Sequence, residues 1–243
     1  MYKNHLFLIT SAINTKFGIH SREERLEQTK DTVKSIIKRI PDAKIVIIES
    51  SGEPIGKEIQ SQLEEISSYV INFSENEAVQ KIYNSTPNWD LVKSACELLC
   101  FKTALDMLED TDIFENIDRV HKMSGRYQLN DDFDIELYEN KKIIDKLVFA
   151  KPYHSQFKSK TLPKVTIPIQ FMSRLWSWPI FFNPIIKDFY AKAVKEFEDR
   201  TMKGEYVDVE HLLYYLLPKE IVFNVEKIGV EGRLGAIEHL VQD

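Results

Sequence analysis

The 243-residue sequence contains only two cysteines, Cys96 and Cys100. Two cysteines cannot build a disulfide framework, which excludes the small disulfide-rich secreted proteins and favours a reducing compartment. Their spacing of four residues places both on one face of a predicted helix. The cytoplasm is therefore the expected location.

Long apolar runs are lacking too. The most apolar stretch, residues 165–186, is interrupted by three prolines and an arginine, so we do not expect it to be a membrane-spanning helix. The apolar run near the N-terminus is too short for a secretory signal. These absences favour a soluble protein, for which contact with a membrane surface stays open.

Glycine and positive charge are also scarce. Residues 11–20, which follow the first apolar run, include only Gly18, so neither a Walker A loop nor a dinucleotide fingerprint is present. This argues against ATPases and dehydrogenases. The net charge of -6 argues against a protein that coats nucleic acid. The six histidines form no pair with metal-ligand spacing, which argues against zinc.

What remains is an ordinary globular composition, with 43% hydrophobic and 29% charged residues. Strand and helix patterns alternate through the first half of the chain, which predicts one α/β domain over residues 1–243 with a mostly parallel sheet and helices on both faces. Residues 74–90 have a weak pattern and end in loop-forming residues. The predicted strands cover residues 5–10, 44–49, 69–73 and 118–123, and the predicted helices cover 21–39, 55–66 and 90–108.

The second half has a different composition. A strand is predicted over residues 146–150, followed by an aromatic and proline-rich stretch from 152 to 186. Two helices, 187–200 and 207–217, and a strand over 220–225 complete it. We expect this half to close the same cleft and to hold a second substrate.

The fourth strand ends in a small cationic turn, Ser124-Gly125-Arg126-Tyr127. Ligands of open α/β sheets bind where parallel strands end, so this turn is expected to face a cleft. The planar guanidinium of Arg126 suits a diphosphate or a carboxylate, and Gly125 would let a ligand approach the backbone. The alternative is a surface turn with an incidental arginine.

Acidic residues occur at two further places. Asp131, Asp132 and Asp134 could hold Mg²⁺ or Mn²⁺, or could belong to a solvated loop. Asp208 and Glu210 begin an apolar helix, where a carboxylate with a raised pKa could act as a general base. Helix capping by Asp208, with Glu210 in the favourable first turn, is the alternative.

Two other patterns have both a functional and a structural interpretation. Gly229, Gly232 and Gly235 predict either a mobile turn or an anion-binding loop in which Arg233 contacts phosphate. The aromatic residues Trp176, Trp178, Phe181 and Phe182 could stack on sugar or lipid, or could pack in the core.

Four segments of the chain resemble GT-A-type nucleotide-sugar glycosyltransferases. The resemblance is to the bacterial and viral enzymes of surface-polysaccharide synthesis that carry a Lys-x-Ser-Gly-Arg-Tyr segment. The segments are Leu8 to Ile13, the helix with Arg25 and Thr32 to Ile36, Ile48 to Ser50, and Lys122 to Tyr127.

The resemblance implies a GT-A-like fold in which residues 1–130 bind the nucleotide-sugar donor and residues 131–243, rich in aromatics, bind a glycan or glycolipid acceptor. No nucleic-acid partner is expected. The acceptor residues would be Arg174, Trp176 and Trp178. The donor residues would be Thr10, Ser11, Ala12, Glu49, Lys102, Lys122, Ser124, Gly125, Arg126 and Arg233.

The resemblance also implies catalytic roles. An Asp-x-Asp metal motif should end the fourth strand, yet Ser124-Gly125-Arg126 stands there. Either Asp131 and Asp132 bind Mn²⁺ or Mg²⁺ instead, or Arg126 and Arg233 neutralise the leaving diphosphate without metal. Glu210, or Asp208, would activate the acceptor in an inverting transfer. The alternatives are a binding module without catalysis and a nucleotidyltransferase, which would need a glycine-rich loop that is missing here.

Overall fold

The computed structural model describes residues 4–155, 157, 164–233 and 240–243. Within these residues the α-helices are α1 (Arg22–Arg39), α2 (Gly56–Glu65), α3 (Glu77–Ser85), α4 (Trp89–Glu109), α5 (Asn183–Met202) and α6 (Val209–Leu216). The strands are β1 (His5–Ser11), β2 (Lys44–Glu49), β3 (Tyr69–Asn72), β4 (Arg119–Ser124), β5 (Tyr127–Leu129), β6 (Leu147–Ala150), β7 (Tyr153–His154), β8 (Lys164–Val165), β9 (Ile169–Gln170), β10 (Leu175–Pro179), β11 (Glu205–Tyr206), β12 (Val222–Val225), β13 (Val230–Arg233) and β14 (Leu240–Gln242).

Seven strands form the central sheet in the order β12, β6, β10, β4, β1, β2, β3. Strand β1 pairs in parallel with both β2 and β4, and β2 pairs in parallel with β3. Strand β12 is parallel to β6, and β10 runs antiparallel between β6 and β4. The predicted α/β class, with a mostly parallel sheet flanked by helices, is confirmed. Thr10 pairs with Ser124, and Ser11 pairs with Glu49, so the ends of β4, β1 and β2 lie side by side.

Helix α1 begins with a capping box formed by Ser21 and Glu24. The Ser21 hydroxyl accepts a hydrogen bond from the Glu24 amide, and the Glu24 carboxylate accepts one from the Ser21 amide. Both bonds satisfy amides that would otherwise lack a partner at the helix start. The helix therefore starts at a fixed point beside the end of β1.

Two elements differ from the sequence prediction. Residues 74–90, expected as a loop, contain α3, which is capped by Asn76 and buries Val79 and Tyr83 on one face. The proline-rich stretch contains β10, in which Trp176 and Trp178 point to one face of the sheet and Ser177 to the other. The sequence of β10 lacks the alternation of apolar and polar residues that marks a half-buried strand, because both faces of β10 are buried.

The core lies on both faces of the sheet. One layer packs α4, α5 and α6 against it, and the other packs α1 and α2. Trp176 and Trp178 are fully buried in the first layer, and the Trp176 ring stacks on Phe149 with centroids 5.0 Å apart. The expectation that these indoles contact an acceptor is therefore wrong; they are core residues.

Among the helices in the described parts of the chain, none combines the length and apolarity needed to cross a membrane.

Candidate functional site

A cavity of about 460 Å³ opens where β1, β2 and β4 end. This volume lies in the range of small-molecule sites, and the position is the expected one for an open α/β sheet. Six of the predicted donor residues line it, in two groups, Thr10 to Ala12 and Ser124 to Arg126. The remaining lining residues are Thr15, Lys16, Phe17, Gly18, Ile19, Arg25, Thr29, Ser50, Ser51, Tyr83, Trp89, Val92, Lys93, Cys96 and Glu97.

The Ser124-Gly125-Arg126 turn is tied closely to β1. The Gly125 amide donates a hydrogen bond to the Thr10 carbonyl over 2.8 Å, and the Thr29 hydroxyl lies 3.3 Å from the Gly125 carbonyl. A β-carbon at position 125 would come within 3.1 Å of the Thr10 oxygen. Glycine is therefore favoured here by close packing, and the packed turn fixes where the Arg126 side chain begins.

Cationic side chains collect around this turn. Arg25 donates hydrogen bonds to the carbonyls of Ala12, Phe17 and His20, and so holds the loop after β1. Burial lowers the pKa of Arg25, and the neighbouring Arg126 lowers it further. Two guanidinium groups this close, in a cavity, form a region that favours an anion.

The N-terminal end of α4 forms the opposite wall. Trp89, Lys93 and Glu97 follow one another at intervals of four residues, so they occupy one helix face, and all three line the cavity. The Lys93 side chain is 41% exposed. The positive end of the helix dipole adds to the cationic character of this wall.

Aromatic rings line the outer part of the cavity. The rings of Phe17 and Tyr83 pack edge to face with centroids 5.3 Å apart, and the Tyr83 hydroxyl accepts a hydrogen bond from the Lys16 amide. The Lys16 ammonium lies 4.6 Å from the Tyr83 ring centroid. Aromatic faces of this kind suit the flat base of a nucleotide.

Glu49 lies beneath the cavity rather than in its wall. Its carboxylate is fully buried and accepts hydrogen bonds from the amides of Ile13 and Ser51 and from the Ser51 hydroxyl. Burial raises its pKa, while these bonds oppose the rise. The implied contact with the nucleoside is thus indirect, because Glu49 positions the backbone that lines the cavity.

Lys122 is also buried and does not line the cavity. Its ammonium lies 2.7 Å from the Glu97 carboxylate and donates to the Ser173 carbonyl over 2.9 Å, with the side chain only 1% exposed. The ion pair joins α4 to β4. Lys122 therefore reaches the cavity only through Glu97.

Glu210 lies behind the α4 wall. Its carboxylate is 3.8 Å from the Lys93 ammonium and accepts a hydrogen bond from the Ser173 hydroxyl over 2.7 Å. Burial alone would raise the pKa of Glu210, but Lys93, Ser173 and Lys122 lower it to about 2. The raised pKa expected from the sequence is wrong for Glu210 in this state.

Asp208 caps the N-terminus of α6, as in the alternative interpretation of the acidic residues at this helix. Its carboxylate accepts a hydrogen bond from the His211 amide over 2.9 Å at the start of α6. Burial and the neighbouring Glu210 raise its pKa. Asp208 contacts the His211 ring and is not among the described residues that line the cavity.

Two other predicted residues, Lys102 and Arg174, are not among the described residues that line the cavity. Lys102 forms an ion pair with Asp106 further along α4. Arg174 forms an ion pair with Asp243 and lies 5.7 Å from the Tyr127 ring centroid.

Arg233 and Gly232 belong to a strand rather than a loop. Arg233 lies on β13, which pairs with β5 and β14. Gly229 has a φ of +82°, and a β-carbon there would meet the Phe133 backbone at 2.2 Å. The third glycine of the series, Gly235, lies outside the described residues.

The residues at the end of β4 do not fit a divalent metal ion. Asp131 binds Arg39 over 2.8 Å, and Asp132 binds Lys227 over 2.9 Å, because the chain after the turn runs along α1 away from the cavity. The one cavity-lining carboxylate in the described chain, Glu97, is paired with Lys122. No group of three potential metal ligands occurs among the described residues. Asp131 and Asp132, which were expected to be metal ligands, therefore form surface ion pairs instead.

The fold is similar to that of galactosyltransferase LgtC, solved in complex with donor and acceptor sugar analogs. The two share 10% identity with a TM-score of 0.53, over 90% of this chain and 72% of LgtC. The chain thus has a GT-A-like fold. No protein-family model matches the sequence. No curated protein matches it either.

Two further solved structures are less similar. 4-Diphosphocytidyl-2C-methyl-D-erythritol synthase from Anaerococcus prevotii shares 14% identity over 98% of this chain and 93% of its own, with a TM-score of 0.43. Core-mannan synthase A from Aspergillus fumigatus, in its Mn/GDP form, shares 11% over 87% and 68%, also with a TM-score of 0.43. Neither value is high enough to bear on function.

Sequence reasoning missed the α4 wall. Lys93 and Glu97 carry no recognisable motif, but their spacing of four residues from Trp89 was a usable signal. Tyr83 was missed because its segment was expected to be a loop. All of these residues line the cavity.

Proposed function

We propose that the protein is a glycosyltransferase that moves a sugar from a nucleotide-sugar donor to a glycan or glycolipid acceptor, in surface-polysaccharide synthesis. The observation that carries this proposal is the cationic turn at Arg126, which lines one cavity together with Lys93 and Arg25. A diphosphate needs such a surface. The position of this cavity, where the strands end, supports the proposal.

The cavity offers a separate surface to each part of a donor. The diphosphate would bind Arg126 and Lys93 at the start of α4, and the nucleoside would lie along Thr10 to Ala12. The base would face the rings of Phe17 and Tyr83. This arrangement needs no contact from Lys102 or Arg233.

Sugar transfer requires that negative charge on the departing diphosphate be stabilised. Arg126 and Lys93 would supply this charge stabilisation directly, because no carboxylate pair stands at the end of β4 to hold a metal ion. Arg25, held by three carbonyls, would keep the loop in place and add positive potential.

The acceptor hydroxyl must also lose a proton, and Glu210 is the proposed base of an inverting transfer. Its low pKa depends on Lys93, which lies 3.8 Å away. A bound diphosphate would compete for that ammonium. Burial would then raise the pKa of Glu210 towards the range in which a carboxylate accepts a proton, so the donor itself would prepare the base.

A thermal-shift screen tests the donor site. UDP-, GDP-, CMP- and dTDP-sugars would be compared with and without Mn²⁺. A donor at about 100 times its Kd should raise the unfolding midpoint by roughly 5–10 °C, and the shift should not require Mn²⁺. The Arg126→Gln variant should lose most of the shift, whereas Lys102→Gln should keep it. Equal shifts in both variants, or none with any donor in the wild type, would refute the proposed site.

Turnover tests the proposed base with the same donor. Glu210→Gln should retain the thermal shift but lose about 100-fold or more in release of the nucleoside diphosphate. A variant with full turnover would show that Glu210 is not the base.

The missing carboxylate pair also favours a second function, a nucleotide-binding module without catalysis. Saturable binding of a nucleoside diphosphate by the wild type, with no donor hydrolysis or transfer, would support that function instead.

A further inference from the structure

Three side chains outside the cavity lie in a hydrogen-bonded line. The Ser155 hydroxyl is 2.9 Å from Nε2 of His211, and Nδ1 of the same ring is 2.6 Å from the Asp208 carboxylate. Ser155 follows β7, while the other two belong to the start of α6. The chain thus brings together a hydroxyl, an imidazole and a carboxylate that are far apart in sequence.

The carboxylate sets the direction of the hydrogen bonds. A carboxylate only accepts, so Nδ1 of His211 carries the proton that faces Asp208. Nε2 is then the acceptor for the Ser155 hydroxyl. This is the order of a nucleophile, a general base and the group that orients the base.

The burial of the three residues supports a chemical role. His211 is fully buried, Asp208 is 7% exposed, and Ser155 is part-exposed. Ser155 is therefore the end of the line that meets solvent, while the His211 ring and the Asp208 carboxyl group are shielded from it. Asp208 is fixed because the same carboxylate oxygen also accepts the His211 amide over 2.9 Å.

The surroundings of the line are apolar on one side. The rings of Phe157 and Tyr206 pack together with centroids 4.2 Å apart, and lie 6.4 and 5.9 Å from the His211 ring. The Phe157 amide donates to the Ser155 oxygen over 3.3 Å, which orients the hydroxyl. Ser155, His211 and Asp208 are not among the described residues that line the donor cavity.

We propose that Ser155 is an activated serine nucleophile, with His211 as its base, in a second site that accepts carboxylic esters. The Ser155 oxygen would form a bond to the ester carbonyl carbon while its proton passes to Nε2 of His211. The alkoxide would then leave with that proton, which yields an acyl-serine. Water would repeat both steps, release the carboxylic acid and restore Ser155.

An alkyl fluorophosphonate probe tests this proposal on the full-length protein without a known substrate. The Ser155 oxygen should displace fluoride from phosphorus, and intact-mass and peptide analysis should place one adduct on Ser155. His211→Gln should slow labelling about 100-fold or more. Ser67→Ala, a matched control at a part-buried serine that donates to the Leu63 carbonyl, should label like the wild type.

A second variant keeps the test decisive where His211→Gln does not fold. Asp208→Asn retains an oxygen for the His211 amide, so α6 keeps its cap, but the ring loses the carboxylate that fixes its tautomer. Its labelling should slow by about 10-fold or more while its unfolding midpoint stays near that of the wild type. No adduct on Ser155 in the folded wild type, or an unchanged rate in the folded variants, would overturn the proposal.

Discussion

Single residues decide the shape of the proposed donor site. Gly125 lets the turn after β4 approach the Thr10 carbonyl, and Arg126 then projects from a fixed backbone. The sequence predicted both residues because a small residue beside an arginine at a strand end is a recognisable pattern. It did not predict that Glu49 and Lys122 are buried beneath the cavity, where they hold its lining segments in place. Burial of an acid or a lysine depends on partners from distant segments.

Gly125→Ala tests the close approach. The added methyl group would lie 3.1 Å from the Thr10 oxygen and 3.2 Å from the Thr29 hydroxyl, so the turn must shift. We expect a loss of about 1–3 kcal/mol in the free energy of unfolding together with a weaker thermal shift by the donor.

Gly204→Ala is the control for this substitution. Gly204 has a φ of +72° beyond α5, and no atom lies within 4 Å of a β-carbon there. This variant should lose about 1 kcal/mol through backbone strain alone and should keep the donor shift. Unimpaired donor binding by Gly125→Ala would contradict the packing argument. Chemical denaturation and the thermal-shift assay provide the two measurements.

At the scale of elements, α4 connects the cavity to the rest of the fold. Its first turns carry Lys93 and Glu97, and the Lys122 ion pair fixes them to β4. Helix α4 was predicted almost to the residue, because apolar residues recur along its whole length without a proline or glycine. Its functional face was not predicted, since charged residues on a helix usually face solvent.

Lys122→Met tests this connection. Loss of the ammonium leaves the Glu97 carboxylate, 12% exposed, without its partner. We expect a cost of about 3–5 kcal/mol in the free energy of unfolding, measured with urea. The double variant Lys122→Met/Glu97→Gln should recover much of this loss.

The exposed pair of the same helix offers a comparison. Lys102 and Asp106 are 38% and 45% exposed, so Lys102→Met should cost less than about 1 kcal/mol. A similar cost for Lys102→Met and Lys122→Met would show that the buried pair does not hold α4 in place.

For the whole molecule, alternating strands and helices were sufficient to predict the parallel strands β1 to β4 and the helices α1, α2 and α4 of the first half, although α3 was missed. The second half was predicted less well. The antiparallel β10 lies between β4 and β6 although it follows both in sequence. A pattern that is local in sequence cannot indicate such an insertion, and the burial of Trp176 and Trp178 depends on it.

The stability of the whole molecule should depend on Glu210 at low pH. Its pKa is lowered from an ordinary value of 4.5 to about 2, so its stabilising contribution is complete above pH 4.5 and is lost as the pH falls towards 2. Glu210→Gln lacks this contribution. The difference in unfolding free energy between the two proteins, on the order of 3 kcal/mol at neutral pH, should therefore shrink on acidification. A difference that is constant from pH 6 to pH 2.5 would contradict the ion pair with Lys93.

The antiparallel insertion of β10 has a consequence for how the protein is made. Until residues 175–179 leave the ribosome, β4 has an unpaired outer edge, although its other edge is already paired with β1. Lys122 likewise lacks the Ser173 carbonyl until then. A nascent chain that ends before β10 would hold the sequence of the donor site without its finished geometry, so binding competence should arise only late in synthesis.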